Sequence, residues 1–321
     1  MSARSTVLPH GSSSVLDFTP VMAGGTGRSG TTVIAGLLGR HRDVRASRPR
    51  EVKIVTEPVG LLDLCLEPSD HAPARVQRRM RLLAALPGSR RWRLAAFAKQ
   101  MRGRWWVRSN RMGRESGLHL TIAEEDRERL IEELAEGFSD DPVKAGRAFL
   151  AGIVRAQSDD EGESLWVDTS PSNISEADRI HRLLPEARFI RMVRDGRSTA
   201  ASVMAECWGP DDPEGAVAWW ERQLRAGEAG LAGTPGDVVL TVSLEDLVVL
   251  DRDATYARLM GFLGLDDDPR MRRFFENRMR PDRVGLDSWR RRVPDVRAFE
   301  GAYEQAAARL AADGIEVFAR S

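Results

Sequence analysis

The sequence predicts a three-layer α/β fold, a central parallel sheet flanked by helices, with a helical insertion. Three observations predict it. An apolar run ending at Ala23 passes through Gly24-Gly-Thr-Gly-Arg-Ser-Gly30 into an apolar, helix-like segment from Thr31 to about Arg40. A second run, Arg188 to Val193, passes through Arg194-Asp-Gly-Arg197 into a helix-like segment from Ser198 to Cys207. Between and beyond them short apolar runs alternate with helical patterns, as expected of parallel strands joined by helices. In such sheets ligands sit at the carboxyl ends of the strands. That places Gly25–Thr32, Asp168–Pro171, Arg194–Ser202 and Ser243–Asp246 along one edge.

In chain order, residues 1–15 are polar and Ser-rich and read as a disordered tail without a signal-peptide core. Residues 16–321 read as a single domain, because no internal repeat or long linker divides them. Its first turn is P-loop-like. Gly25-x-x-x-x-Gly30 has the spacing of a nucleotide P-loop, but Thr31 and Thr32 stand where that motif continues with lysine. The cation lies inside the loop, at Arg28, which suits a smaller anion than a triphosphate. Glycines let the backbone approach closely, and a helix N-terminus favours negative charge.

Next, Val52, Ile54 and Val55 are too few to assign a strand. A helical insertion, about 61–160, follows. Its basic part holds Arg75, Arg78, Arg79, Arg81, Arg90, Arg91, Arg93, Lys99, Arg102, Arg104, Arg108, Arg111 and Arg114, interleaved with Leu82, Leu83, Leu86, Trp92, Trp105 and Trp106. This face reads either as a cap whose arginines snorkel over apolar surface or as a surface for an anionic substrate or membrane. Glu124–Glu136 is an acidic helix that could complement it, and Ala145–Gln157 is another helix. Ser164–Pro171 reads as a short buried strand and turn, Ile174–Leu184 as a helix, Val217–Leu231 as a helix, and Val238–Val242 as a strand. Tyr256–Leu263 and Ala298–Asp313 close the chain as helices.

Composition excludes several classes. Lys+Arg and Asp+Glu balance at 48 each, so overall charge argues neither for nor against nucleic acid; no nucleic-acid partner is expected. The two cysteines, Cys65 and Cys207, are far apart and read as free thiols of a reducing cytoplasm. The five histidines are scattered, and no metal is expected. No stretch approaches the ~18–20 apolar residues of a membrane span. The expected location is the cytoplasm; nothing in the sequence sets the oligomeric state.

Arg194 and Ser202 offer a guanidinium and a hydroxyl at a strand tip, a second anion site beside the Gly-rich loop. Two such sites on one edge suit a ligand with two separated phosphates. Here the chain resembles a family. Gly24-Gly-Thr-Gly-Arg-Ser-Gly-Thr-Thr32 resembles the 5′-phosphosulfate loop of sulfotransferases, and Met192-Val-Arg-Asp-Gly-Arg-Ser-Thr-Ala-Ala-Ser202 their 3′-phosphate motif. Both are similar to those of bacterial members near the tyrosylprotein and carbohydrate sulfotransferase branch. The resemblance covers Val21–Thr32, Leu165–Ser202, Ser243–Leu247 and Leu286–Pro294. It implies 3′-phosphoadenosine 5′-phosphosulfate (PAPS) as co-substrate and no metal.

Residue by residue, the resemblance assigns the 5′-phosphosulfate to Gly27, Arg28, Ser29, Gly30, Thr31 and Thr32, and the 3′-phosphate to Arg194 and Ser202. Leu286-Asp-Ser-Trp-Arg-Arg-Arg-Val-Pro294 resembles the segment that closes over the nucleotide, with Ser288 where a basic residue often stands and Arg290 as a substitute. Ser243-Leu-Glu-Asp-Leu247 resembles a Tyr-Glu-Asp-Leu element; Ser243 replaces the tyrosine beside the adenine, and Trp289 is a replacement stacking surface. Arg50-Glu-Val-Lys-Ile-Val55 resembles the segment carrying the catalytic glutamate, which makes Glu51 the candidate base; a surface glutamate paired with Arg50 or Lys53 is the plainer reading. Arg28 is the candidate charge stabiliser. Thr169 stands where relatives often place a lysine. The acceptor is expected to be a small molecule, glycan or lipid, with the insertion from about Arg75 to Arg114 as its lid and a peripheral membrane contact as an alternative use of that face. The competing readings are a P-loop-type small-molecule kinase, with Asp168 as its magnesium ligand, and a non-catalytic protein that binds anions or membranes.

Overall fold

A computed structural model describes residues 16–66, 78, 82, 88–109, 115–157, 163–283, 286 and 288–318. The tail 1–15, Arg75, Arg79, Arg81, Leu83, Leu86, Arg111 and Arg114 lie outside these residues. The sheet contains β1 (Thr19–Gly25), β2 (Val44–Ala46), β5 (Leu165–Asp168), β6 (Arg188–Val193) and β7 (Val239–Ser243), in the order β2-β5-β1-β6-β7. Every pairing within it is parallel, with Val21 opposite Val167, Met22 opposite Phe189, and Val193 opposite Ser243. A two-residue antiparallel pair, β3 (Arg108–Ser109) and β4 (Glu115–Ser116), lies in the insertion.

The strands are mostly apolar because both faces of the sheet are covered, with Arg45, Arg188 and Arg191 as the charged exceptions within β2 and β6. Side chains alternate across a strand, so Met22, Trp166 and Phe189 enter one core while Val21, Ala23, Val167 and Ile190 enter the other. The first core is closed by α2 (Leu61–Cys65), α3 (Ser89–Arg102), α4 (Glu124–Phe138), α5 (Pro142–Ala156) and α6 (Ala177–Leu183). The second is closed by α1 (Thr31–Leu38), α9 (Arg252–Leu263) and α10 (Pro269–Arg278). A third cluster joins α7 (Gly196–Val203), α8 (Pro213–Leu231) and α11 (Val296–Ala312) to Trp289.

Sequence periodicity placed α1 and α4 from their first residues and located the bodies of α5 and α8 while missing their starts. Helices α5, α8 and α10 each open on Asp-Pro, where Asp141, Asp212 and Asp268 accept from backbone N–H groups of the first turn. Proline at the first helical position loses no hydrogen bond there. Periodicity also missed β2, a three-residue edge strand, and α10, whose burial rests on Met271 and Phe275 among charged residues. The segment expected to be helical from Ser198 to Cys207 is helical only to Val203; Glu206, Cys207 and Trp208 lie in turns. Val52, Ile54 and Val55 are buried without forming a strand.

The insertion is a core-building layer. Helix α3 buries Phe97, Ala98 and Met101, with Phe97 edge-on to Trp105 and Phe149 at ring centroids of 5.5 and 5.2 Å. The acidic helix complements its basic neighbour as expected: Arg102 donates to Glu128 at 2.9 Å, and Arg127 lies 4.3 Å from the Trp106 ring centroid.

Candidate active site

A cleft of about 730 Å³ opens at the carboxyl ends of the strands. Its floor is the loop between β1 and α1. Gly27 (φ 80°) and Gly30 (φ 104°) take the left-handed conformation that glycine adopts without Cβ strain. Arg28 takes it too, at φ 58°, which costs energy for a residue with a side chain. Gly30 precedes α1, so the first-turn amides of Thr31 and Thr32 have no carbonyl one turn back to bond and face the loop. Gly27, Arg28, Gly30, Thr31 and Thr32 all line the cleft. Ser29 is buried, its hydroxyl without a hydrogen-bond partner among the described residues.

The two sequence motifs meet directly. Arg28 Nε donates to Ser202 Oγ at 3.1 Å, and Arg194 Nη1 donates to the Arg28 carbonyl at 3.1 Å. Asp195 caps α7 by accepting from Ser198 N at 3.0 Å, which fixes the turn presenting Arg194 and Ser202. Burial pulls the Arg194 guanidinium pKa down, opposed by the Glu245 carboxylate. Its Nε is buried without a partner among the described residues. A half-buried cation with an unused donor favours a bound anion, because leaving it unpaired is expensive. Arg28 also pairs with Glu206 at 3.1 Å.

Glu51 and Lys53 also line the cleft. Their position is fixed from beneath by Asp168, the last residue of β5. Asp168 is fully buried; its Oδ1 accepts from Val52 N at 2.7 Å, and its Oδ2 from Asn173 Nδ2 at 2.8 Å and Ser170 N at 3.0 Å. Burial pushes its pKa up, against those donors. Thr169 clamps the same segment, its N and Oγ1 both donating to the Arg50 carbonyl at 3.2 and 3.0 Å. Residues on either side of Glu51 are thereby tied to the end of β5. Lys53 bridges Glu51 at 3.8 Å and Glu57 at 3.3 Å.

Three expected positions lie elsewhere. Ser243 is buried, giving its hydroxyl to Glu245 at 3.3 Å and accepting from Asp246 N at 3.2 Å; its neighbour Leu244 lines the cleft. Trp289 is buried beneath the C-terminal segment, boxed by Phe299 (centroids 5.5 Å), Arg197 (5.4 Å) and Arg290 (4.5 Å), so its faces are already covered. Arg290 pairs with Glu300 at 2.8 Å. The segment sends Ser288 and Arg292 to the cleft instead. In the Arg290-Arg291-Arg292 run, sequence alone gave no phase for choosing between them. Among the described residues the insertion contributes none to the cleft, and its helices spend their apolar faces on the core; much of the stretch expected as the lid, about Arg75 to Arg114, lies outside the described residues. Glu206, Trp208, Trp219 and Gln223 line the cleft as well, and sequence reasoning passed over them. The two indoles so soon after the second motif were the available signal.

The description "Sulfotransferase family" belongs to the family model that matches residues 20–269. The chain belongs to the sulfotransferase family. Its fold is similar to the sulfotransferase domain from the Synechococcus PCC 7002 olefin synthase, at 19% identity and a TM-score of 0.51, over 92% of this chain and 96% of that one. Sulfotransferase STF9 from Mycobacterium avium matches at 14% identity and a TM-score of 0.48, over 95% and 79% of the respective chains. No curated protein sequence matches. Membership implies a sulfonate-donor co-substrate, and the residues fit one: unpartnered buried donors and an open glycine turn stand together at the strand tips. Among the described residues no helix is long and apolar enough to cross a membrane. Cys65 and Cys207 are free thiols.

Proposed function

We propose that this sulfotransferase, acting in the cytoplasm, moves the sulfuryl group of PAPS to a hydroxyl or amine of a small-molecule or glycoconjugate acceptor. The observation that carries this reading is the joining of the two motifs in one cleft, Arg28 to Ser202 and Arg194 to the Arg28 backbone. The loop from Gly27 to Thr32 would hold the 5′-phosphosulfate; Arg194 and Ser202, with Arg292 nearby, the 3′-phosphate. Such a transfer is mainly positioning and charge stabilisation along an in-line path. As the acceptor oxygen forms its bond to sulfur, its proton passes to the Glu51 carboxylate. The sulfur–oxygen bond to the nucleotide breaks with its electron pair left on the phosphate oxygen, where the Arg28 guanidinium offsets the charge.

The kinase reading loses its metal ligand. Both Asp168 oxygens are engaged by protein donors and the side chain is fully buried, so it cannot reach a magnesium ion in the cleft. A thermal-shift comparison tests the choice. Adenosine 3′,5′-bisphosphate at 100 times its Kd should stabilise the fold by about 2.7 kcal/mol, while Mg·ATP at the same concentration should leave the melting temperature unchanged. The reverse pattern would favour the kinase.

A further inference from the structure

Part of the cleft wall is aromatic. Trp208 is 58% exposed, unusual for so large an apolar side chain. It lies with Trp219 at ring centroids of 5.9 Å and an interplanar angle of 52°, and both line the cleft. A Cβ on Gly27 would lie 3.5 Å from the Trp219 ring, so this indole extends over the edge of the loop. Gln223, one turn after Trp219 on α8, faces the same space and adds an amide donor and acceptor. The turn carrying Trp208 is braced by two hydrogen bonds, Glu206 N to the Val203 carbonyl and Gly209 N to the Glu206 carbonyl, each at 3.0 Å. The indoles are therefore presented on a built surface. Two tilted rings form an angled wall that takes a flat partner face-on against one and edge-on against the other, the preferred geometries of aromatic contacts.

Charge narrows the partner further. Lys53 is shared between Glu51 and Glu57, and Arg28 is held by Glu206 and Ser202. Arg194 follows β6 in the motif assigned to the donor, and Arg292 lies in the C-terminal segment assigned to the nucleotide. Among the described residues this leaves the indole wall no uncommitted cation for an anionic acceptor, and two carboxylates to repel one. We infer that the acceptor is an uncharged hydroxyl carried on a ring, either a planar aryl ring or a pyranose presenting its C–H face, stacked on Trp208 and Trp219 with its oxygen toward Glu51. The inference rests on the donor site proposed above.

The test is ligand-observed NMR on the full chain saturated with adenosine 3′,5′-bisphosphate. The probes are 2-naphthol, methyl β-D-glucopyranoside, 1-hexanol and 4-hydroxybenzoate. At least one neutral ring compound should bind more tightly than hexanol and hydroxybenzoate, and which one binds identifies the ring as aryl or glycosyl. Trp208→Ala should weaken that binding about tenfold, Trp208→Phe should restore most of it, and nucleotide affinity should stay within about twofold in both. The inference is overturned if hexanol or hydroxybenzoate binds as tightly as the rings, if no ring binds, or if Trp208→Ala leaves ring binding unchanged. It is also overturned if that variant loses nucleotide affinity, which would place the indoles on the donor. Failure of the wild-type chain to bind the nucleotide at all sinks the donor assignment, a separate result.

Discussion

At the scale of single residues, the cleft separates groups that act on the transferred group from groups that hold them. Arg28 is the candidate stabiliser, and Arg28→Ala should lower kcat by on the order of 10²–10³. Its partner Glu206 is partly exposed, and such ion pairs contribute little. Glu206→Gln should therefore cost no more than about fivefold in steady-state turnover, and a loss matching that of Arg28→Ala would assign Glu206 a direct part in the chemistry. Glu51→Gln should spare nucleotide binding in calorimetry and reduce turnover by roughly 10²–10⁴; a variant with normal rate would exclude Glu51 as the base. The two thiols offer a simpler check. Burial pushes the Cys65 thiol up to about 12, whereas Cys207 is exposed. Because the thiolate is the nucleophile, iodoacetamide at pH 8 should label Cys207 in the folded chain, and peptide mass spectrometry should find Cys65 modified only after denaturation.

At the scale of elements, the end of β5 organises one side of the cleft without touching it. Asp168 gathers the Val52 and Ser170 amides and the Asn173 side chain. Asp168→Ala leaves those donors buried and unpaired, at about 1–3 kcal/mol each before relaxation. A clear fall in melting temperature is expected, together with loss of turnover as the Glu51 segment loosens; unchanged stability would contradict the clamp. This role was illegible in the sequence, where Asp168 read only as a potential metal ligand. Its partners lie 116 and 5 positions away, and a buried carboxylate's function depends on which donors converge on it. The glycine loop and Arg194–Ser202 were legible because their chemistry is local: a turn, a helix start and a cation within a few residues. The C-terminal segment was half legible. Its arginines were visible, but a short turn-rich stretch has no periodicity to show that Trp289 faces inward and Arg292 faces the cleft.

At the scale of the whole molecule, the parallel sheet was readable from alternating strands and helices, and with it the side on which a ligand would bind. The role of the insertion was not. A helix such as α3, rich in arginine, reads as surface, yet it buries Phe97, Ala98 and Met101 against the same core as Trp166 and Phe189. Basic composition records only the outward face of a helix whose inward face is narrow. The proposed function requires that the two strand tips form a single site for a nucleotide phosphorylated at both ends. Calorimetry of adenosine 3′,5′-bisphosphate binding to the wild-type chain and to Arg194→Ala tests it most directly. Wild type should bind, and the variant should lose about 1.5–3 kcal/mol, on the order of 10- to 150-fold in Kd; equal affinities, or no binding by the wild-type chain, would contradict it.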